Sequence, residues 1–260
     1  MTGRWRGSGT SCAMAMAPRL LTKVDMRPWM LLGVAQASGD EVEVRLYRRG
    51  EEFSIRAGNC ELMNSRVHGS EDALGKLACA RIADTPQPRV LIGGLGMGYT
   101  LSAALHGLSA RGQVVVAELM PAVVAWNYGP LGDLAGHPLR DDRVIVREVD
   151  VARILRAEQH AYDAILLDVD NGPKGLTKAG NDWLYGQDGL IAAFTALRPG
   201  GVLAVWSAGP DQAFSHRLRN TGFKVEEVRV RTGGVCRGAR HTIWIAERAA
   251  RSAEQVARTR

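Results

Sequence analysis

The run Tyr162-Asp163-Ala164-Ile165-Leu166-Leu167 is apolar enough to be a buried strand, and it delivers Asp168, Asp170 and Asn171 to one end. A carboxylate at the mouth of a cleft can accept or orient the proton of an attacking group. The Gly-, Pro- and Lys-rich stretch from Asn171 to Asp182 that follows is longer than a connector needs, and reads as a mobile loop that closes over the cleft. Turn and cap roles account for one of the three polar residues, hardly for all.

A second group is Val90-Leu91-Ile92-Gly93-Gly94-Leu95-Gly96-Met97-Gly98, a strand running into a glycine-rich turn that opens a helix. Backbone N–H groups can approach a ligand there, where side chains would block it. Twenty residues beyond Gly98, Glu118 ends the next apolar strand, where a carboxylate can accept from both hydroxyls of a ribose. Asp150 ends the run Val144-Ile145-Val146-Arg147-Glu148-Val149, placed either to accept from an adenine amino group or to cap the helix beginning at Val151. The two roles can coexist.

These groups must be held by elements that end at one edge. From Val90 onward strands and helices alternate: strands at 90–94, 113–119, 143–150, 162–170 and 201–208, helices beginning near Gly98, Pro121, Val151, Leu184 and Asp211. Such alternation predicts a parallel sheet covered by helices on both faces. Two last β-runs, 224–231 and 241–247, are joined by a Gly-rich loop without a helix and should pair antiparallel at the sheet edge. Before the sheet, Val42, Val44 and Leu46 alternate with acidic and basic residues, and turns at Arg49-Gly50 and Gly58-Asn59 define a small antiparallel β-unit. Ser70 is expected to cap a helix with the acids Glu71 and Asp72 in its first turn, favourable to the helix dipole, and an apolar face of Leu74, Leu77 and Ala78, with Pro86 and Pro88 stopping it. The divisions are a mobile tail (1–25), the β-unit (26–66), the main domain (67–247) and a basic tail (248–260). The Ala/Met stretch 12–17 is too short for a secretory signal core, and a translation start placed too early explains it equally well.

The composition narrows the function. The chain has 260 residues, 46% of them hydrophobic, with no apolar run near the roughly 18 residues of a membrane span. Cys12, Cys60, Cys79 and Cys236 are scattered without metal-ligand spacing, which fits a reducing cytoplasm and no metal site. The net charge of +6 is concentrated at the ends, so nucleic acid is an unlikely partner. A small-molecule acceptor is expected, and a homodimer is left open.

Taken together, residues 58–209 resemble the spermidine synthase-like branch of the class I S-adenosylmethionine-dependent transferases. The resemblance rests on the β-unit, Val67-His68-Gly69-Ser70-Glu71, the glycine loop, Glu118, Asp150 and the Asp168 strand. It implies an α/β, Rossmann-like seven-stranded methyltransferase sheet with a C-terminal antiparallel hairpin. It also implies that Gly93, Gly94, Gly96 and Gly98 hold the methionine-derived tail, Glu118 the ribose and Asp150 the adenine. Asp168, with Asp170 or Asn171, would handle the proton of the acceptor, which His68 and Tyr185 would border; core packing of Tyr185 is an alternative.

The chain also departs from the polyamine-forming members. Gly96 stands where their loop has an Asp, Asn171 replaces a second acid, and Trp206-Ser207-Ala208-Gly209-Pro210 replaces a Gln- and Glu-bearing segment. A dicationic diamine needs carboxylates to offset its desolvation. The departures therefore favour intact S-adenosyl-L-methionine and methyl transfer to nitrogen or oxygen. Aminopropyl transfer from decarboxylated S-adenosylmethionine, with a site shifted onto Asp168, Asp170 and Asp182, is the alternative, followed by a non-catalytic adenosine-cofactor binder. The C-terminal hairpin argues against NAD-linked reduction.

Overall fold

The computed structural model describes residues 27–36, 43–169, 172–173, 181–232 and 240–250. The tail expected over 1–25, most of that over 248–260, and Asp170, Asn171 and most of the loop expected up to Asp182 lie outside the described residues.

Alternating apolar residues at the sheet centre generate two helical layers. Strands β5 (Arg89–Gly93), β6 (Gln113–Glu118), β7 (Val144–Glu148), β8 (Tyr162–Leu167), β9 (Leu197–Ser207), β10 (Phe223–Arg231) and β11 (Arg240–Arg248) form one sheet in the order β10-β11-β9-β8-β5-β6-β7. The five from β7 to β9 are parallel, whereas β11 runs antiparallel to both β9 and β10. This is the expected seven-stranded sheet with its closing hairpin.

Val90, Ile92, Val114, Val116, Ala164 and Leu166 point to one face, beneath α1 (Gly69–Ala80), α2 (Tyr99–Gly107) and α3 (Pro121–Tyr128). Leu91, Val115, Ile165, Leu167 and Val205 point to the other, beneath α4 (Val151–Ala157), α5 (Asn181–Tyr185), α6 (Gln187–Ala196) and α7 (Gln212–Thr221). Each fully buried Leu, Ile or Val contributes about 1.5 to 3 kcal/mol, so burial on both faces, more than helix propensity, holds the strand ends in place.

The β-unit is a separate antiparallel sheet of β1 (Met30–Gln36), β2 (Glu43–Arg49), β3 (Glu52–Ala57) and β4 (Cys60–Asn64). Its apolar face, Val44, Leu46, Phe53 and Ile55, packs on Met97, Tyr99 and Leu131. The small sheet therefore braces the glycine loop and the first turn of α2.

Two expected boundaries differ. The cap position of α1 is His68, not Ser70. Gly69 N donates to Thr232 O at 2.8 Å, which starts the helix early and turns Ser70, fully buried, inward. The single helix expected from Leu184 is two, broken at Gly186; Gly189 lies so close to the Trp183 and Leu184 carbonyls that a Cβ would fall within 2.5 Å of both.

Candidate active site

The sheet order places the ends of β8, β5, β6 and β7 side by side, and with them Asp168, the glycine loop, Glu118 and Asp150. Gly94 has φ +89°, and a Cβ there would lie 2.4 Å from the Asp168 carbonyl oxygen. Only glycine lets the loop and the β8 end touch, and Asp168 N donates to Gly93 O at 2.9 Å across that contact. Gly96 (φ +53°) and Gly98 (φ +83°) complete the turn, and Gly98 begins α2 without a side-chain cap. The loop thus places the N-terminus of a nine-residue helix at the end of β8, where Thr100 meets Asp168.

Glu118 is buried, with Oε2 accepting from Leu95 N and Oε1 from Met120 N, both at 2.9 Å. One carboxylate therefore ties the glycine loop to the end of β6. A carboxylate accepts up to about four hydrogen bonds, so holding the backbone and binding ligand hydroxyls are compatible. Asn127, which sequence reasoning passed over, supports the loop from α3: its Nδ2 donates to Gly96 O at 2.8 Å and to Val123 O at 2.9 Å. Its buried Oδ1 has no hydrogen-bond partner among the described residues and lies 3.0 Å from where a Gly98 Cβ would stand.

Asp150 caps α4, its Oδ1 accepting from Ala152 N at 2.8 Å. Asp150→Ala is expected to lower stability to urea by about 1 kcal/mol, with a smaller loss of cofactor affinity by calorimetry than Glu118→Ala causes. An affinity loss matching that of Glu118→Ala would make the adenine contact its main role.

Asp168 is half-buried, and its Oδ2 accepts from Thr100 Oγ1 at 2.7 Å. Desolvation first, and then the negative charge of Glu71, push its carboxyl up to about 7, against the opposing Thr100 hydrogen bond. Glu71, expected only as a first-turn acid of α1, is buried here, with Ser70 Oγ donating to its Oε2 at 2.6 Å. Burial also raises its own carboxyl. Among the described residues neither acid pairs with Arg or Lys.

His68 stacks on Tyr99, ring centroids 4.0 Å apart, and its Nδ1 lies 3.1 Å from Asp72. It stays near this group, its carbonyl accepting from Glu71 N at 3.1 Å. Tyr185 takes the packing alternative. Its ring is buried edge-to-face against Phe214, and its hydroxyl donates to Val169 O at 3.0 Å. It belongs to the helical layer on the opposite face of the sheet from Thr100, because α5 follows β8 on that side. No group of His, Cys, Asp and Glu able to hold a metal occurs among the described residues, nor does a helix long and apolar enough to cross a membrane.

This sheet, with its glycine loop and strand-end acids, has the fold of the class I S-adenosylmethionine-dependent transferases. The fold is also similar to that of spermidine synthases. The spermidine synthase of Thermotoga maritima superposes with a TM-score of 0.68 at 16% identity, covering 86% of this chain and 75% of that one. A spermidine synthase in complex with the transition-state analogue AdoDATO gives 0.66 at 16% identity, covering 86% and 74%. Human methyltransferase-like protein 13 in complex with SAH gives 0.51 at 17% identity, covering 74% and 86%. In sequence, the chain is 26% identical over 200 residues to a polyamine aminopropyltransferase of Oceanobacillus iheyensis. That match takes in 74% of this chain and 36% of the relative, so the chain spans about a third of its length. No protein-family model matches.

Proposed function

We propose that this chain transfers an alkyl group from an S-adenosylmethionine-type sulfonium to an amine, and that the group is the aminopropyl of decarboxylated S-adenosylmethionine. The observation that carries the reading is Asp168, a carboxylate packed against the glycine loop that has no basic partner among the described residues. The resemblance to a protein named as a polyamine aminopropyltransferase and to spermidine synthases favours aminopropyl over methyl transfer. Glu71 weakens the contrary argument from sequence, because it adds a carboxylate where too few were expected for a cationic acceptor.

The site fits such a cofactor. Three glycines at positive φ leave a cradle that side chains would fill, and the unpartnered Asn127 Oδ1 adds a buried acceptor next to it. The backbone of 93–98 would hold the tail, Glu118 the ribose and Asp150 the adenine. When bound, the sulfonium supplies an electrophilic carbon whose bond to sulfur breaks with its electron pair as the acceptor's lone pair forms the new bond. Asp168 orients the amine and takes the proton it sheds; Thr100 holds the Asp168 carboxylate in place.

Methyl transfer remains the second reading because of Gly96, where no acid is available for a cofactor ammonium. A Cβ there would sit 2.8 Å from Met63 Sδ, so the loop is also closely packed at that point. Calorimetry with intact and decarboxylated S-adenosylmethionine, side by side, tests the choice. Decarboxylated cofactor is expected to bind at least about tenfold tighter, a difference of about 1.4 kcal/mol. The reverse preference would establish methyl transfer, and binding of neither would overturn both.

A further inference from the structure

We propose that Met63 is a specificity-determining residue of the cofactor site: its thioether, lying over Gly96, disfavours the carboxylate of intact S-adenosylmethionine and so selects the decarboxylated form. The proposal rests on the function proposed above for its cofactor.

Gly96 has φ +53°, and a Cβ there would lie 2.8 Å from Met63 Sδ and 3.0 Å from Met63 Cε. The thioether thus occupies the direction in which residue 96 would send a side chain. Met63 comes from β4, where it stands opposite Ile55 on the apolar face of the small sheet. Its place is fixed by the residues around it. Ser65 N donates to Phe53 O at 3.0 Å and Tyr99 OH donates to Ser65 O at 3.3 Å, so the end of β4 is tied both to β3 and to the first residue of α2. On the loop side, Asn127 Nδ2 donates to Gly96 O at 2.8 Å. The loop cannot recede from the thioether without losing that bond.

Within the glycine loop, residues 93, 95, 97 and 98 are buried, whereas Gly94 and Gly96 keep part of their surface. A ligand laid on the loop therefore meets backbone at these two glycines. The Gly94 end is bounded by β8, because a Cβ there would lie 2.4 Å from Asp168 O and 3.3 Å from Val169 Cγ1. The Gly96 end is bounded by Met63. Between them Leu95 N donates to Glu118 Oε2 at 2.9 Å, the carboxylate assigned to the ribose. With the reacting carbon toward Asp168 and the ribose at Glu118, the far end of the cofactor tail falls to Gly96 and Met63.

The two cofactors differ at that end by one group. The intact form carries a carboxylate on the carbon that bears the ammonium, and the decarboxylated form carries hydrogen. Both present the ammonium, so it does not discriminate. A carboxylate pressed against a half-buried thioether loses water without gaining a donor, whereas a methylene there gains contact with a soft, polarizable surface. Selection is by exclusion, not by an attracting charge. The same contact explains why residue 96 is side-chain-free: an acid at that position has no room while Met63 is in place.

The test is calorimetry of wild type, Met63→Leu, Met63→Gln and Met63→Lys with intact and with decarboxylated S-adenosylmethionine, read as the ratio of the two dissociation constants. Met63→Leu, close in volume and equally apolar, should keep the wild-type ratio within about twofold. Met63→Gln, which brings a donor to a carboxylate, should move the ratio toward the intact form by about threefold or more. Met63→Lys, which adds the opposite charge, should move it by about tenfold or more. A ratio unmoved in the folded Lys variant would overturn the proposal. If Met63→Lys does not fold, Met63→Gln, nearly isosteric with methionine, decides in the same sense. A wild-type preference for the intact form, with a ratio that still moves with residue 63, would remove the aminopropyl reading and leave residue 63 as the one that reads the tail. A wild-type preference for the decarboxylated form with an unmoved ratio would do the reverse, and binding of neither cofactor would overturn both.

Discussion

Asp168→Asn should lower kcat on an amine acceptor by about 10² to 10⁴-fold, the usual worth of a positioned acid or base, with cofactor affinity nearly unchanged. Asn keeps the volume and can still meet Thr100, so the loss isolates the proton-handling role. The same substitution has a signature in stability. The Asp168 carboxyl in the folded state is raised to about 7, above the roughly 3.9 of an unfolded chain. The native protein therefore binds the extra proton between those values, and its stability falls as pH rises through that window and stays lower above it. Asp168→Asn should flatten this part of the profile, as measured by urea unfolding at pH 4.5, 6 and 8. A variant with wild-type kcat would remove Asp168 from the chemistry.

Glu118→Ala should weaken cofactor binding at least tenfold by calorimetry, because each hydrogen bond to a charged group contributes about 1.5 to 3 kcal/mol. The geometry adds a second consequence. The same side chain accepts from Leu95 N and Met120 N, so the alanine variant should also lose stability and loosen the glycine loop. Glu118→Gln separates the two effects: it can still accept through its carbonyl oxygen, so it should keep more stability than alanine while losing affinity for the ribose hydroxyls. Unchanged affinity in a folded Glu118→Ala protein would end the assignment.

Some of the site was open to reading along the chain, and some was passed over although the signal was there. Glu71 lies three residues before Leu74 and seven before Ala78, on the stripe that turns inward in α1. An acid on that stripe marks a buried carboxylate. Reading it as a first-turn, dipole-stabilising residue put it on the wrong face. For Ser70 the spacing suggested a cap, but the cap lies two residues earlier because Thr232, far along the chain, receives the Gly69 N–H.

Local pattern along the chain accounts for the alternation of strand and helix, the two-sided sheet, the glycine turn, and the arrival of Glu118, Asp150 and Asp168 at strand ends. Period and spacing suffice for these, because a parallel strand always ends at the same edge as its neighbours. Which side chains meet at that edge is set by how the elements pack in three dimensions. The Ser70–His241 contact joins residues 171 positions apart, Asn127 reaches the loop from a helix of its own, and Tyr185 is carried to the opposite face by the turn of chain after β8. Such pairings depend on how closely two helices pack and on which face a loop returns to, and neither quantity is written in the period of any one segment.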